Sequence, residues 1–428
     1  MRKTFAKLHL WLSIPFGILI AIICITGALL VFEQEILQLC HPSRYFVKEV
    51  KAEALPIDRL MASARQQLPE NTPIRGIRVF QDPERSYQIL LPGKKAAAFI
   101  DPYTGSVVGM DDGQGFFMQV MRLHRWLLDI PKRDGSFAWG KNIVGYATLA
   151  MAIILVSGLV IWWPRNRKML KNRWQVKCRS GRFRFWYDLH VAGGFYAFLL
   201  LLAMALTGLT WSFSWYNQAF CKVFDVEVAA RKAHGQSAGP SGERSQDSGT
   251  GKQAQGQMQR LQQGQGGNPA QADRGQASNA ISARTADYSH WTSVLTQLQS
   301  RYEDYRSITL QAGSASVSTA RYGNTRGSDR YSFDPETGQI TQSQLYKDLP
   351  KSGKIRGWIY SVHTGSWGGL ATRILSCLAA LFGGILALTG YYFWIRKMRL
   401  KKRRTLAESS GKRSFSQNRS LSAQKVDF

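Results

Sequence analysis

The 428-residue sequence has few cysteines and lacks several motifs that commonly bind cofactors. None of its 5 cysteines belongs to a Cys-x-x-Cys-His motif, so covalent c-type haem is excluded. No glycine-rich dinucleotide fingerprint follows a predicted strand, so the chain has no evident NADPH or flavin site. No histidine has a cysteine or carboxylate at ligand spacing, which disfavours zinc. A redox role would therefore need another type of cofactor site.

Charged side chains are absent from four long stretches, which predict membrane-spanning helices. These stretches cover residues 8–32, 142–164, 189–221 and 374–395. Each is long enough to cross a hydrocarbon layer of roughly 30 Å. The first is too long for the apolar core of a signal peptide, and no small-residue cleavage site follows it. We interpret it as an uncleaved span, with a cleaved leader or signal anchor as the alternative.

Acidic residues are scarce, with 28 Asp and Glu against 56 Lys and Arg. Most of the basic excess lies before the first span, between the second and third spans, and after the fourth. The positive-inside rule then predicts a multi-pass protein of the bacterial inner membrane, with both termini in the cytoplasm. Residues 33–141 and 222–373 would lie in the periplasm. No folded basic domain accompanies the charge, so we do not predict nucleic-acid binding.

The two halves of the chain follow the same plan, which predicts a parallel internal duplication. Helical stretches are expected at 57–68 and 288–302, and strand-like runs at 74–80, 86–91, 96–100, 307–310, 316–320 and 330–333. Asp101-Pro102-Tyr103-Thr104-Gly105 and Asp334-Pro335-Glu336-Thr337-Gly338 each predict a hairpin turn with a left-handed glycine at a bulge. Parallel repeats are related by an axis along the membrane normal, so equivalent residues face each other.

The predicted fold is an all-α four-helix transmembrane bundle with two α+β periplasmic domains. The segments are helix 1 (1–33), outer domain 1 (34–138), helix 2 (139–164), a basic cytoplasmic loop (165–188), helix 3 (189–216), outer domain 2 (217–366), helix 4 (367–395) and a basic tail (396–428). An insert at about 233–286 is rich in Gly, Gln and Ser, and its composition predicts disorder.

Four histidines occur at matched places in the two halves and are the candidate cofactor ligands. His9 and His190 precede the Thr-Gly pairs at Thr26 and Thr207 by the same interval, while His124 and His363 precede the second and fourth spans. Pairing His9 with His190, and His124 with His363, predicts two haems, each held by two imidazoles. Alternatives are a histidine at the lipid headgroups and, for His124, a methionine axial ligand such as Met118.

Two cysteines also match between the halves. Cys40 follows His9 by the same interval at which Cys221 follows His190. In an oxidising periplasm, these two residues could form a disulfide across the axis. Two free thiols are the alternative.

Several motifs together resemble the PepSY-associated transmembrane family, also described as iron-regulated membrane proteins. The motifs are Lys7-Leu8-His9 with Thr26-Gly27, Leu123-His124-Arg125-Trp126 with Gly158 and Trp162-Trp163-Pro164, Asp188-Leu189-His190 with Thr207-Gly208, and Val362-His363-Thr364-Gly365 with Thr389-Gly390. The two Asp-Pro-x-Thr-Gly turns look like the PepSY hairpin. The resemblance covers nearly the whole chain apart from the insert and the tail.

This resemblance implies an oxidoreductase of the ferric-siderophore reductase type that binds haem b. Electrons would cross the membrane and reduce a ferric siderophore, or another ferric substrate, held by the periplasmic domains. A cytoplasmic flavoprotein or a quinol would supply them. Trp126, Trp215 and Trp367 would lie near the substrate, although aromatic belts at membrane surfaces explain them equally well. Rival interpretations are a non-catalytic PepSY membrane anchor and a siderophore or iron transporter, the latter disfavoured by apolar spans.

Overall fold

The protein consists of long apolar helices and a sheet-containing domain. The computed structural model describes residues 1–93, 95–131, 136–164, 166–226, 288–319, 321 and 323–423. The helices are α1 (Arg2–Val31), α2 (Glu33–Cys40), α3 (Pro42–Tyr45), α4 (Ile57–Gln67), α5 (Phe116–Trp126), α6 (Trp139–Trp162), α7 (Arg167–Trp174), α8 (Arg182–Ser212), α9 (Ser214–Val223), α10 (Trp291–Arg301), α11 (Lys351–Thr364) and α12 (Gly369–Ala423). The predicted insert at 233–286 lies outside the described residues.

Four of the described helices are long and apolar enough to cross a membrane, in agreement with the four predicted spans. They are α1, α6, α8 and the segment Ser366–Arg403, which contains the first part of α12. Both α1 and α8 pack against α6 and α12, so α1 and α8 occupy opposite corners of a four-helix bundle.

Small residues allow these helices to approach closely. A Cβ on Gly17 of α1 would lie 2.7 Å from the ring of Tyr391 on α12. A Cβ on Gly145 of α6 would lie 2.7 Å from the ring of Phe213, which follows α8. Both distances are shorter than a normal carbon–carbon contact, so a larger residue at either position would have to displace the facing ring.

The helix of the third span ends before the uncharged stretch does. It ends at Ser212, whereas the uncharged stretch continues to Cys221. Phe213 has extended backbone angles, φ −122° and ψ 126°, and the separate helix α9 begins at Ser214. The absence of charge therefore overestimated the length of the spanning helix, because α9 is also uncharged until Lys222.

One antiparallel sheet contains the strands of both predicted outer domains. The strands are β1 (Gly76–Phe80), β2 (Tyr87–Leu90), β3 (Ala97–Ile100), β4 (Val107–Asp111), β5 (Ser307–Gln311), β6 (Ser314–Ser318), β7 (Ser328–Phe333) and β8 (Ile340–Gln344). Their spatial order is β4-β3-β2-β1-β5-β6-β7-β8. The central pair joins the halves, with Ile77 opposite Leu310 and Val79 opposite Ile308. The two outer segments thus share a single sheet.

A single hydrophobic core covers one face of this sheet. Leu60 and Met61 of α4, and Trp291 and Leu298 of α10, are fully buried against side chains from both halves of the sheet. The helices also contact each other, because the Thr292 hydroxyl donates to the Asp58 carboxylate at 2.7 Å. The predicted helical stretches and strand-like runs therefore form one α+β unit.

Both predicted hairpin turns are present. The Asp101 carboxylate accepts from the backbone N–H of Tyr103 at 2.8 Å, and Asp334 accepts from Glu336 at 3.0 Å. Gly105 and Gly338 have φ values of 72° and 69°, the left-handed conformation that glycine adopts at low cost. The register shifts beside each turn, between β3 and β4 and between β7 and β8, as a bulge requires.

Candidate functional site

The outer histidine pair lies at the end of the bundle nearest the sheet. His124 of α5 reaches α1, where its Nδ1 lies 3.0 Å from the carbonyl oxygen of Ile23 and 3.1 Å from the hydroxyl of Thr26. His363 of α11 reaches α8 in the same way, with Nδ1 2.9 Å from the Met204 carbonyl oxygen. The Thr207 hydroxyl lies 3.2 Å from that nitrogen. Each ring is therefore oriented by a carbonyl and by a hydroxyl one helical turn further along.

The inner histidine pair repeats this arrangement towards the other end of the bundle. Nδ1 of His9 on α1 lies 3.0 Å from the Ile154 carbonyl oxygen and 3.2 Å from the Ser157 hydroxyl, both on α6. Nδ1 of His190 on α8 lies 2.8 Å from the Thr389 hydroxyl on α12, which itself donates to the Leu386 carbonyl oxygen at 3.0 Å. His9 and His190 are close enough to interact electrostatically.

These contacts fix the tautomer of the imidazoles. A carbonyl oxygen can only accept a hydrogen bond, so Nδ1 of His9, His124 and His363 carries the proton. The nearby hydroxyls donate to their own helices, as when Thr26 donates to Ile22 at 2.6 Å, and their oxygens can accept from the histidines. In a neutral imidazole the other nitrogen, Nε2, then has a free lone pair. This is the arrangement in which histidine binds a metal.

A glycine follows the orienting hydroxyl residue in each of the four spans. Cβ atoms on Gly27 and Gly208 would lie 3.0 Å and 3.1 Å from Cε1 of His124 and His363. A Cβ on Gly158 would lie 3.3 Å from Cε1 of His9. The missing side chains let these three rings lie against the helix backbone. Gly390, beside Thr389, has no atom within 4 Å of such a Cβ.

The outer rings face each other at a short distance. The centroids of His124 and His363 are 6.2 Å apart, and their planes are inclined by 58°. Trp211 packs edge-on against His363 at 4.9 Å. Burial lowers the pKa of both imidazoles, which belong to α5 and α11 outside the spanning helices, so both rings are neutral. The charge of Arg125 acts on both rings and opposes their protonation further.

Other sequence candidates lie away from the histidine pairs. His41 is exposed beside α2, and His290 begins α10 at the far face of the sheet. Met118 lines a cavity under the sheet. Among the described residues, no group of three or more His, Cys, Asp and Glu side chains could hold a metal ion.

Cys40 and Cys221, the two cysteines of the predicted disulfide, are both free thiols in the structure. Cys40, at the end of α2, is exposed, whereas Cys221 in α9 is buried and directs its Sγ towards Asn217 Oδ1 at 3.7 Å. The two residues match in sequence position but differ in environment.

Sequence reasoning identified the histidines but not the groups that orient them. Ser157, Thr389 and the carbonyls one turn before each hydroxyl residue were not assigned a role. A signal was available, since each of the four spans contains a Ser-Gly or Thr-Gly pair that follows one of the four histidines, at an interval of 17 residues for both His9 and His190. Thr26-Gly27 and Thr207-Gly208 served there only as markers of the repeat.

Comparison with known families agrees with these observations. Residues 6–397 match the family described as the PepSY-associated TM region. No curated protein sequence gives a significant match to the chain. Because the family match covers nearly all of the chain, the protein belongs to the PepSY-associated transmembrane family and is a membrane protein of that family.

Proposed function

We propose that the four histidines hold two haem b groups and that the protein transfers electrons across a membrane. The observation that carries this proposal is the geometry of the outer pair. A metal lies about 2 Å from each nitrogen of two opposed imidazoles, which separates the ring centres by about 6 Å. The centroids of His124 and His363 are 6.2 Å apart. The residues present therefore fit a six-coordinate iron with two imidazole ligands.

The surrounding groups suit this role. The Nδ1–H groups of His9, His124 and His363 are held by carbonyl oxygens, which raises the basicity of these imidazoles and fixes their orientation. Arg125 is an exposed residue next to the outer pair, where its positive charge would balance a carboxylate of the cofactor. When bound, haem b supplies a one-electron iron couple at each level, with His9 and His190 at one level and His124 and His363 at the other.

The direction of transfer follows from charge. The basic loop and tail favour a cytoplasmic position for the inner pair and both termini, and a periplasmic position for the sheet domain. Electrons would enter from a flavoprotein, attracted by the basic surface, or from a quinol, and leave from the outer pair. The acceptor would be a ferric siderophore or another ferric complex at the sheet domain. The matching order of elements in the two halves supports an internal duplication.

The test is the absorbance spectrum of protein purified after expression with haem available. We expect a six-coordinate haem b spectrum that is reduced by dithionite and reoxidised by a ferric chelate. His124→Ala and His363→Ala should each remove the same haem, while His9→Ala and His190→Ala should remove the other. His41→Ala is the matched control and should change neither. A colourless protein would support a non-catalytic membrane anchor and overturn the proposal.

A further inference from the structure

A large, partly open cavity lies under the face of the sheet opposite α4 and α10. It has a volume of about 970 Å³ and is bordered by strands of both halves of the sheet, by α2 and by the start of α5. Side chains alternate along a strand, so residues between the core positions point into this space. Arg78 and Thr309, which are opposite each other in the central β1–β5 pair, are both in its lining. The cavity therefore spans the junction of the two halves.

Four guanidinium groups in this lining lack carboxylate partners. They belong to Arg75, Arg78, Arg85 and Arg306, and none of the four takes part in an ion pair within the described part of the chain. Arg78 donates only to neutral oxygens, the Thr309 hydroxyl at 3.3 Å and the Gln88 side-chain carbonyl at 3.2 Å. Each of these cations is thus available to an anion.

Arg85 shows the lack of a partner most clearly. Its Nε is buried and has no hydrogen-bond partner in the described structure. Its guanidinium lies over the rings of Phe80 and Phe46, at 4.9 Å and 5.2 Å from their centroids. Aromatic contacts hold the cation in place while leaving its N–H groups free to donate.

The acidic residues of the cavity do not cancel this charge. Glu33 pairs with Lys95, and Glu35 pairs with Arg373. Asp111 pairs with Arg44 at 3.6 Å. Asp82 is the remaining carboxylate of the lining, an exposed residue whose charge favours the charged form of Arg85. The cavity therefore has an excess of positive charge.

The arginines also repel one another. Burial, together with the positive charge of Arg306, lowers the pKa of Arg78, and burial does the same for the pKa of Arg85. A guanidinium remains charged at any physiological pH, so the cost of this proximity is not relieved by loss of a proton. A bound anion would relieve it.

The cavity is close to the outer histidines. Phe117, in the first turn of α5, lines it, and His124 follows two turns later on the same helix. At a rise of about 1.5 Å per residue, about 10 Å of helix separates the two positions. The cavity is therefore a short distance from the proposed electron exit.

From these observations, we propose that this cavity, under the junction of the two halves of the sheet, binds a negatively charged, oxygen-rich ferric chelate of the carboxylate or catecholate type. The proposal rests on the function proposed above and names its substrate class. Neutral and cationic hydroxamate chelates would bind poorly. The same chemistry could come from the headgroup of an anionic lipid, and the experiment separates the two sources.

The experiment measures binding of gallium(III) citrate, a redox-inert anionic chelate, to the full-length protein in phosphatidylcholine nanodiscs by calorimetry. Arg78→Gln and Arg306→Gln should each weaken binding about tenfold, because each removes a charged hydrogen-bond donor. Arg78→Lys keeps the charge and should weaken it less. The control is Arg59→Gln on α4, an exposed residue across the sheet, which should have no effect. Salt should weaken wild-type binding.

Several outcomes would overturn the proposal. One is equal affinity of wild type and Arg78→Gln/Arg306→Gln, and another is equal affinity for a neutral gallium hydroxamate. Loss of citrate binding when phosphatidylglycerol is added, with an affinity for that lipid that depends on the same arginines, would assign the cavity to a headgroup. If the glutamine variants fail to fold, Arg78→Lys and the salt dependence of wild type still decide. Calorimetry does not depend on haem, so failure here is distinct from a colourless protein.

Discussion

Replacing the glycine beside each histidine by alanine should change the stability of the protein by an amount that depends on the distance between the new methyl group and the imidazole. Gly27→Ala and Gly390→Ala make the same chemical change, each next to a threonine that orients a histidine. In an exposed helix, glycine to alanine stabilises by about 1 kcal/mol. At Gly390 a Cβ meets nothing within 4 Å, so that gain should appear in full. At Gly27 the Cβ would lie 3.0 Å from Cε1 of His124.

The cost at Gly27 can be worked from the contact distance. Ordinary carbon contacts begin at about 3.5 Å, so the imidazole must move by about 0.5 Å. Such a shift would stretch its hydrogen bonds to Ile23 and Thr26, now 3.0 Å and 3.1 Å, towards the limit for a bond. Losing two buried hydrogen bonds costs about 2 kcal/mol. With the helix-propensity gain subtracted, we expect Gly27→Ala to destabilise the protein by about 1 kcal/mol and to reduce occupancy of the outer haem.

Thermal unfolding in detergent, followed by circular dichroism, measures the loss of stability. The ratio of haem to protein measures the occupancy of the outer haem. Gly208→Ala, where the contact is 3.1 Å, should behave like Gly27→Ala. Gly158→Ala, at 3.3 Å from His9, should be intermediate and affect the inner haem. Equal stability and equal haem content for Gly27→Ala and Gly390→Ala would refute the reasoning, because the two sites would then have the same surroundings.

Three further predictions concern other contacts. Thr207→Val should weaken haem binding at the outer pair while Thr207→Ser retains it, as measured by haem titration, because only serine keeps the acceptor for His363. The hydrogen bond from Arg373 lowers the pKa of Glu35, so this pair should stabilise the fold above pH ~4.3 and lose that contribution as pH falls further. Melting temperatures of wild type and Glu35→Gln should accordingly differ at neutral pH and converge in acid. Trp291→Ala should cost about 3–5 kcal/mol in the sheet domain, measured by denaturant unfolding, and leave the haem spectrum unchanged.

Much of the local structure could be predicted because its signals are local. Strand-like runs and Asp-Pro-x-Thr-Gly turns depend on alternation and on backbone preferences within a few residues. The runs at 86–91 and 96–100 correspond closely to β2 and β3 at both ends. The uncharged stretch at 189–221 extends past the end of α8 at Ser212, because charge alone does not reveal the extended backbone at Phe213.

The junction of the two halves could not be predicted in the same way. Pairing of β1 with β5 joins segments from opposite halves of the chain, and no periodicity in either strand specifies its neighbour. The same is true of the site. Histidine spacing identified which rings correspond, but Ser157 and Thr389 acquire a role only when α6 packs on α1 and α12 packs on α8. The arginines of the cavity were likewise indistinguishable from solvated surface charges.

Because α1 contributes to both histidine pairs, the number of residues between its two contact points is constrained. His9 lies near one end of α1 and orients towards α6, while Thr26, near the other end, receives a ring from α5. These positions are about 25 Å apart along a single uninterrupted helix. Inserting or deleting one residue between them would rotate one end by about 100° relative to the other and misalign a histidine at one level. The interval between His9 and Thr26, and that between His190 and Thr207, must therefore keep its length.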